Sequence, residues 1–345
     1  MRMLAKLTAL AVFPAALAAQ GADLTGAGAT FPYPIYSKWF ADYAASTGVK
    51  INYQAIGSGG GIRQISDGTV DFGASDTPMT DGEMQKGKGR ILHIPTVIGA
   101  VAIVYNLPGI SAPLNLDGGT LSDIFLGKVR KWNDGKIAKL NPGVALPSRD
   151  ILVVHRSEGS GTTYIFTDFL SSSSKEWLAG PGRAKEVAWP IGLGGKGNDG
   201  VAGQVKLIPG SIGYVELAYA RQNKLAFAAV RNTSGSFVAP SVESATAAAE
   251  GVAAKLNPKT DYRISIVNAP GAQVYPITSL TWLLVYQDQT DPIKGKKLVD
   301  FIRWALTTGQ GSAAALDYAP LPKAIADRLV ERLGTIRLAG VAATQ

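Results

Sequence analysis

The sequence predicts an α/β fold built on largely parallel sheets. Predicted strands at residues 94–104, 210–219 and 277–286 alternate along the chain with segments whose apolar residues recur at helical spacing. Three glycine-rich turns each lie between such a strand and such a helix. The length of 345 residues is enough for two domains with sizeable cores. With 46% hydrophobic and 17% charged residues, the composition is that of an ordinary globular protein.

Residues 1–18 are predicted to form an export signal that is cleaved from the mature protein. Arg2 and Lys6 supply its positive start, residues 7–17 are apolar, and residues 16–18 have the small-x-small pattern of a cleavage site. The cut falls after position 18 or a few residues later, and a buried first helix is the alternative. The apolar run at 7–17 is shorter than the about 20 residues that a bilayer span needs, so we expect a soluble, exported protein.

The chain has no cysteine and only two histidines, His93 and His155. No disulfide or thiolate metal site can form, and the histidines are too few for a zinc site, so we expect no metal and no cofactor. The formal net charge of +8 favours negatively charged partners. The basic residues are scattered, however, and their longest cluster, at 128–131, is typical of a solvated helix face. We therefore expect no nucleic-acid partner.

The first glycine-rich turn, residues 26–30, precedes a predicted helix. That helix is expected to begin near Pro32, because proline is tolerated in a first turn and apolar residues recur at helical spacing behind it. The two glycines of the turn would open a dinucleotide-binding fingerprint. Phe31 occupies the position of the third glycine, which excludes that interpretation.

The second turn, residues 57–61, connects a predicted strand at 49–56 to a short helical segment at 62–65. A flexible loop is the alternative, but the helix directly behind the turn favours a binding function. Residues 70–76 form a predicted buried strand that ends in a carboxylate, Asp76. Asp76 is a candidate site residue, and a structural aspartate in a turn is the alternative of equal weight.

The third turn, residues 159–163, follows an apolar strand at 151–154 and opens an amphipathic helix. Such a junction presents free backbone N–H groups and the positive end of a helix dipole, which favour a bound anion. Three hydroxyls in the turn can cap the helix or donate to a ligand, and Arg156 adds charged donors beside them. A simple helix cap is the alternative.

The three turns share one chemistry, in which many neutral donors surround a single cation. This favours a small, dehydrated oxyanion as ligand, whereas a nucleic-acid groove would carry many basic residues and stacking aromatics. A further G-x-G-x-x-G match at Gly192, Gly194 and Gly197 is interpreted as coincidental, because Trp-Pro precedes it in place of a strand. A P-loop is excluded because Gly197 follows Lys196 where serine or threonine is required.

Seven short segments of the sequence, taken together, carry a resemblance to a known family. They are TGAGATFP at 25–32, YQAIGSGGG at 53–61, VDFGASD at 70–76, GSGT at 159–162, WPIGLGGKGNDG at 189–200, GYVE at 213–216 and YPITS at 275–279. In this order they resemble the periplasmic phosphate-binding proteins of ABC importers, the PstS family. The resemblance covers nearly the whole mature chain.

The resemblance implies a two-lobed periplasmic-binding-protein fold of type II. Each lobe would be a mixed β-sheet flanked by helices, with the ligand in the cleft between them. Lobe I would comprise residues 23–96 and 273–345, and lobe II residues 97–272. The implied protein is a monomeric periplasmic receptor, not an enzyme, which captures inorganic phosphate by hinge closure. It would deliver phosphate to inner-membrane ABC permease subunits that work with a cytoplasmic ATPase.

The resemblance also implies a set of phosphate-binding residues. Arg156 would supply a charge-assisted hydrogen bond. Asp76 would decide specificity, because an ionised carboxylate only accepts hydrogen bonds; it can pair with phosphate, which still carries an O–H, but not with sulfate. Carried over position by position, the contacts are Ala29, Thr30, Phe31, Ser58, Asp76, Arg156, Ser160, Gly161 and Thr162.

Two positions depart from the family pattern. Glu158 stands where aspartate is common beside the binding arginine, which leaves its pairing with Arg156 open, and Gly59 replaces a serine of many relatives. Two other functions are considered. One is a phosphate-ester hydrolase with Ser160 as nucleophile, although metal ligands are scarce and no Ser-His-Asp order stands out. The other is a receptor for a different oxyanion.

Overall fold

The computed structural model describes residues 23–110 and 112–342. The predicted export signal at 1–18 lies outside these residues. Within the described ranges, no helix combines the length and the apolar character that crossing a membrane requires.

Strands and helices alternate along the described chain, as the sequence predicts. The strands are β1 (Leu24–Gly28), β2 (Ile51–Ala55), β3 (Phe72–Ser75), β4 (Ile91–Tyr105), β5 (Asn115–Leu116), β6 (Leu152–Arg156), β7 (Leu193–Gly195), β8 (Ser211–Glu216), β9 (Ala226–Phe227), β10 (Ala229–Arg231), β11 (Phe237–Val238), β12 (Thr278–Tyr286), β13 (Asp288–Gln289), β14 (Arg337–Leu338) and β15 (Val341–Ala342). The α-helices are α1 (Tyr33–Thr47), α2 (Ser58–Asp67), α3 (Asp81–Met84), α4 (Gly118–Phe125), α5 (Gly135–Leu140), α6 (Gly161–Ser173), α7 (Lys175–Ala179), α8 (Gly197–Leu207), α9 (Leu217–Gln222), α10 (Val242–Glu250), α11 (Pro292–Leu306) and α12 (Lys323–Leu333).

Nine strands form one continuous sheet. Eight of them lie in the order β2-β1-β3-β12-β4-β8-β6-β7, and β9 pairs with the end of β4. β1 runs parallel to β2 and β3, and β6 runs parallel to β7 and β8, whereas β4 and β12 are antiparallel to their neighbours. The expectation of largely parallel sheets is therefore wrong at the centre. β4 and β12 are buried on both faces, which is usual for parallel strands, so their composition does not reveal their direction.

Strand β4 belongs to both halves of this sheet. One half contains β1, β2, β3 and β12, and the other contains β6, β7, β8 and β9. Its residues 91–100 pair with β12, and its residues 101–105 pair with β8. All fifteen of its residues are buried, so the strand is held by packing along its whole length. The two halves of the sheet form the two lobes of the predicted fold, and this single strand runs through both.

Strand β8 ends earlier than the predicted strand at 210–219. Its last residue is Glu216, whose side chain accepts a hydrogen bond from the Ala218 N–H at 2.8 Å and so caps helix α9. Capping by the carboxyl group turns the chain from strand to helix at this point. Tyr219 consequently lies on a helix and faces the other half of the molecule.

An aromatic cluster fixes helix α1 and with it the turn that precedes the helix. The ring centroid of Phe40 lies 6.3 Å from that of Phe72 and 5.4 Å from that of Phe301. Trp39 is fully buried, and its indole N–H donates to the Gly309 carbonyl at 2.7 Å. The first glycine-rich turn therefore lies on a rigid support.

Candidate functional site

Four strand-to-helix junctions meet at the cleft between the two halves of the sheet. The three glycine-rich turns predicted from sequence are junctions of this kind, because β1 leads into α1, β2 into α2 and β6 into α6. The fourth leads from β7 into α8. The first N–H groups of a helix have no acceptor within the helix, and its N-terminus is the positive end of the dipole, so such junctions are where open α/β sheets commonly hold ligands.

The turn before α1 offers donors of two kinds. The Thr30 hydroxyl accepts from the backbone N–H and the side-chain amide of Asn198, at 3.3 and 2.8 Å. With both lone pairs occupied, its proton is available to a further acceptor. Within the described residues, the N–H groups of Thr30 and Phe31 donate to no protein acceptor, whereas the Ala29 N–H donates to the Ala74 carbonyl at 2.9 Å.

Asp76 follows β3 directly and is buried. Its Oδ1 accepts from the Thr281 hydroxyl at 2.8 Å, and its Oδ2 accepts from the Ser58 hydroxyl at 3.3 Å. Burial raises the pKa of Asp76 to about 7, although the Thr281 hydroxyl, the Arg156 charge and the Ser58 hydroxyl all favour the ionised form. Near neutral pH, Asp76 therefore changes between an acid that can donate and a carboxylate that only accepts.

Arg156 ends β6 and supplies the positive charge of the cleft. Its Nε donates to Glu158 Oε1 at 2.9 Å, its Nη2 donates to the same oxygen, and its Nη1 donates to the Thr162 hydroxyl at 3.1 Å. The open question about Glu158 is therefore answered, because it does pair with Arg156. Three of the five guanidinium N–H groups are used, which leaves two for a ligand.

Helix α6 begins against the opposite half of the molecule. Ser160 caps it by accepting from the Thr163 N–H at 3.1 Å, which leaves the hydroxyl proton of Ser160 available. A Cβ on Gly161 would lie 2.5 Å from Ser58 Oγ and 2.7 Å from Asp76 Oδ2. Glycine is therefore required at this position for the two halves to approach so closely.

Asn198, at the start of α8, connects the two halves. Its side-chain amide donates to Thr30 Oγ1 at 2.8 Å and to Thr162 Oγ1 at 3.3 Å. Nearby, the Gly59 N–H donates to the Gly159 carbonyl at 2.9 Å. The two halves are thus closed on each other around the predicted site.

The structure brings the predicted site residues together in this cleft. Four of them have their backbone N–H groups already occupied by protein acceptors, namely Ala29, Asp76, Arg156 and Ser160. The set offers hydroxyl, amide and guanidinium donors, together with the carboxyl group of Asp76. The residues are Ala29, Thr30, Phe31, Ser58, Asp76, Arg156, Ser160, Gly161 and Thr162.

Sequence reasoning missed Asn198 and the junction that carries it. The glycines at 192–197 were interpreted as coincidental because no strand precedes them, and none does in the structure, but the short strand β7 lies within the match and pairs with β6 directly before α8. That strand has three residues, two of them glycine, so it shows no apolar pattern. Thr281 was missed as well, since a threonine inside a buried strand carries no local signal of contact with Asp76.

The geometry gives no support for a hydrolase. In the part of the chain that the structure describes, no imidazole or carboxylate hydrogen-bonds to Ser160 Oγ, so nothing activates that hydroxyl as a nucleophile. His155 instead stacks on Trp189, with ring centroids 4.8 Å apart. No group of three or more His, Asp or Glu side chains among the described residues could hold a metal ion.

The chain is similar to known proteins over most of its length. The family model of the PBP superfamily domain matches residues 14–308. The phosphate-binding protein PstS of Pasteurella multocida is 48% identical over 315 residues, which cover 91% of this chain and 90% of that protein. The protein of the same name from Haemophilus influenzae is 47% identical and covers 88% of this chain and 90% of its own length.

The fold matches as well. A solved structure of a high-affinity periplasmic phosphate-binding protein, PfluDING, bound with phosphate, superposes with a TM-score of 0.72. The match covers 92% of this chain and 95% of that one. At 23% identity, this likeness concerns the fold alone.

Proposed function

This chain belongs to the PstS family of phosphate-binding proteins, and we propose that it captures inorganic phosphate and delivers it to an ABC permease for import. It is a substrate-binding protein of a transport system and not an enzyme. One observation carries the proposal. The hydroxyls of Ser58 and Thr281 donate to the buried carboxyl of Asp76, and the charge of Arg156 on the other side of the cleft favours the ionised form of the same carboxyl.

Nine residues are assigned to the phosphate. Thr30 and Phe31 would donate from backbone N–H groups, and the Thr30 hydroxyl would add its free proton. On the other side of the cleft, Arg156 would donate two N–H groups in charge-assisted bonds. The remaining contacts come from Ala29, Ser58, Asp76, Ser160, Gly161 and Thr162.

Asp76 is assigned the role of distinguishing phosphate from sulfate. Its ionised form can accept the O–H that phosphate retains, whereas sulfate would place lone pairs against lone pairs. Sites built around a required hydrogen bond discriminate by roughly 10⁴ to 10⁵ when the polar group keeps its ionisation state, and the raised pKa of Asp76 makes the discrimination smaller near neutral pH. The burial of Asp76 makes this contact costly to leave unpaired.

The lobes are assigned as residues 23–96 with 273–345, and residues 97–272. Strand β4 runs through both, so hinge closure would bend the chain near the point where its pairing changes from β12 to β8. Family membership supports a periplasmic location and inner-membrane permease subunits with a cytoplasmic ATPase as partners. A monomer is proposed.

Calorimetric titration of the mature protein with phosphate, sulfate and arsenate tests the function. We expect tight phosphate binding and weak sulfate binding. Equal affinity for both ions would overturn the assigned role of Asp76 and favour a receptor for another oxyanion. Turnover of a phosphate ester that disappears in Ser160→Ala would instead establish the hydrolase.

A further inference from the structure

Three tyrosine hydroxyls hold three successive carbonyl groups of the turn before α1. Tyr53 donates to the Ala29 carbonyl at 2.7 Å. Tyr219 donates to the Thr30 carbonyl, also at 2.7 Å. Tyr318 donates to the Phe31 carbonyl at 2.6 Å, and the sequence pattern singles out none of the three hydroxyls.

These carbonyls fix the direction of the N–H groups on the same peptide planes. In a trans peptide the C=O and N–H point in opposite directions, so a carbonyl held from one side aims its N–H to the other. The Ala29 carbonyl shares a peptide with the Thr30 N–H, and the Thr30 carbonyl shares one with the Phe31 N–H. Those two N–H groups have no protein acceptor in the described part of the chain.

The tyrosines come from different parts of the fold. Tyr53 lies on β2, in the same half as the turn. Tyr219 lies on α9, in the half that contains β8, and is buried against the turn. The bond from Tyr219 to Thr30 therefore joins the two halves and requires them to be closed.

We propose that Tyr219 and Tyr53 are positioning residues for phosphate capture, which aim the Phe31 and Thr30 N–H groups at the ligand. This rests on the proposed phosphate-binding function. Because Tyr219 comes from the opposite half, closure itself completes the donor set. A hydrogen bond accepted by the carbonyl also polarises the peptide and strengthens its N–H as a donor, by about 10–30%.

A matched control variant distinguishes the positioning role of Tyr219 from a general contribution of tyrosine hydroxyls to the stability of the fold. The Tyr286 hydroxyl also donates to a backbone carbonyl, that of Ile65 at 2.6 Å, but it does so near the end of α2 away from the cleft. Tyr286→Phe removes a hydroxyl-to-carbonyl hydrogen bond of the same kind and leaves the contacts of the turn before α1 in place. Tyr219→Phe keeps the ring and removes only the hydroxyl, which leaves the Thr30 carbonyl with the Tyr33 N–H, at 3.1 Å, as its remaining donor.

The experiment is calorimetric titration with inorganic phosphate on the wild type and both variants, combined with NMR of the Phe31 amide in each complex. We expect Tyr219→Phe to raise the phosphate Kd about tenfold and to shift the Phe31 amide resonance of the complex. Tyr286→Phe should leave the phosphate Kd and the Phe31 amide resonance at their wild-type values. A third variant, Tyr53→Phe, should shift the Thr30 amide resonance of the complex.

Two results would overturn the role of Tyr219. One is a Kd for Tyr219→Phe no different from that of Tyr286→Phe. The other is a raised Kd with an unchanged Phe31 resonance, which would make the hydroxyl a structural support only. Absence of phosphate binding by the wild type would overturn the proposed function itself, and the same titration distinguishes that outcome.

Discussion

Sulfate binding should depend on pH through Asp76. Burial raises the pKa of this carboxyl to about 7 in the closed protein. Sulfate carries no proton, so it can occupy the cleft favourably only when Asp76 itself is protonated and donates the hydrogen bond. Above the pKa, each pH unit lowers the neutral fraction tenfold, which corresponds to about 1.4 kcal/mol of sulfate binding free energy.

The expected sulfate affinity of the wild type therefore levels off below pH 7 and falls about thirtyfold from that plateau to about pH 8.5. In Asp76→Asn, the amide donates at every pH, so sulfate affinity should be constant over this range. At about pH 8.5, the phosphate-over-sulfate preference of Asp76→Asn should therefore be smaller than that of the wild type by at least the same thirtyfold. Calorimetric titration at fixed ionic strength measures both quantities.

A sulfate affinity that does not change with pH in the wild type would refute the assignment. So would an equal pH dependence in wild type and Asp76→Asn, which would place the titration on another group. The nearby Glu216 is the obvious one, because burial raises its pKa well above the ordinary value for a glutamate. An unchanged phosphate-over-sulfate ratio in the variant would remove Asp76 from its role altogether.

Three further changes have expected outcomes. Gly161→Ala places a Cβ 2.5 Å from Ser58 Oγ and should weaken phosphate binding by roughly 5- to 150-fold in calorimetry; Gly203→Ala, whose Cβ meets nothing within 4 Å, should not. Asn198→Asp replaces the donor between the two halves with a carboxylate, and like-charge repulsion of several kcal/mol should weaken binding by about a hundredfold or more. Trp39→Ala should lower the free energy of unfolding by about 3–5 kcal/mol in denaturant titration, and an effect below about 1 kcal/mol would contradict its place in the core.

The sequence predicts those parts of the site whose signals are local. A glycine turn between a strand and a helix is recognisable from a few adjacent residues, and Gly57 with its φ of 89° shows why glycine is needed there. The capping role of Ser160 is likewise visible, since its hydroxyl bonds three residues ahead. The family resemblance then supplied the binding roles that these patterns alone left undecided.

The remaining parts arise from contacts between distant segments. Thr281 reaches Asp76 across 205 positions of sequence, and Tyr219 reaches Thr30 across 189. Asn198 joins Thr30 to Thr162 only because the two halves close on each other. No local pattern marks such residues, because a buried threonine or tyrosine has the same sequence signature whether it packs or positions.

Glu216, behind the turn before α1, is buried beside the hydroxyl of Tyr318. Tyr318 has one hydroxyl proton, and the Phe31 carbonyl at 2.6 Å can only accept it. The same hydroxyl lies 3.0 Å from Glu216 Oε2, which also accepts from the Ala218 N–H at 2.8 Å. Burial raises the pKa of Glu216 well above the usual range of a glutamate and so disfavours its negative charge.

The charges around the cleft therefore nearly cancel. Arg156 is paired with Glu158, burial disfavours the negative charge of Glu216, and Asp76 is neutral or negative according to pH. A bound anion meets no excess of positive charge from these groups, so its stabilisation must come from oriented N–H and O–H dipoles and from the helix N-termini. Affinity in such a cleft depends on the direction of each donor more than on the number of basic residues. This is the physical reason why hydroxyls that touch only carbonyl groups, such as that of Tyr219, are expected to affect phosphate binding.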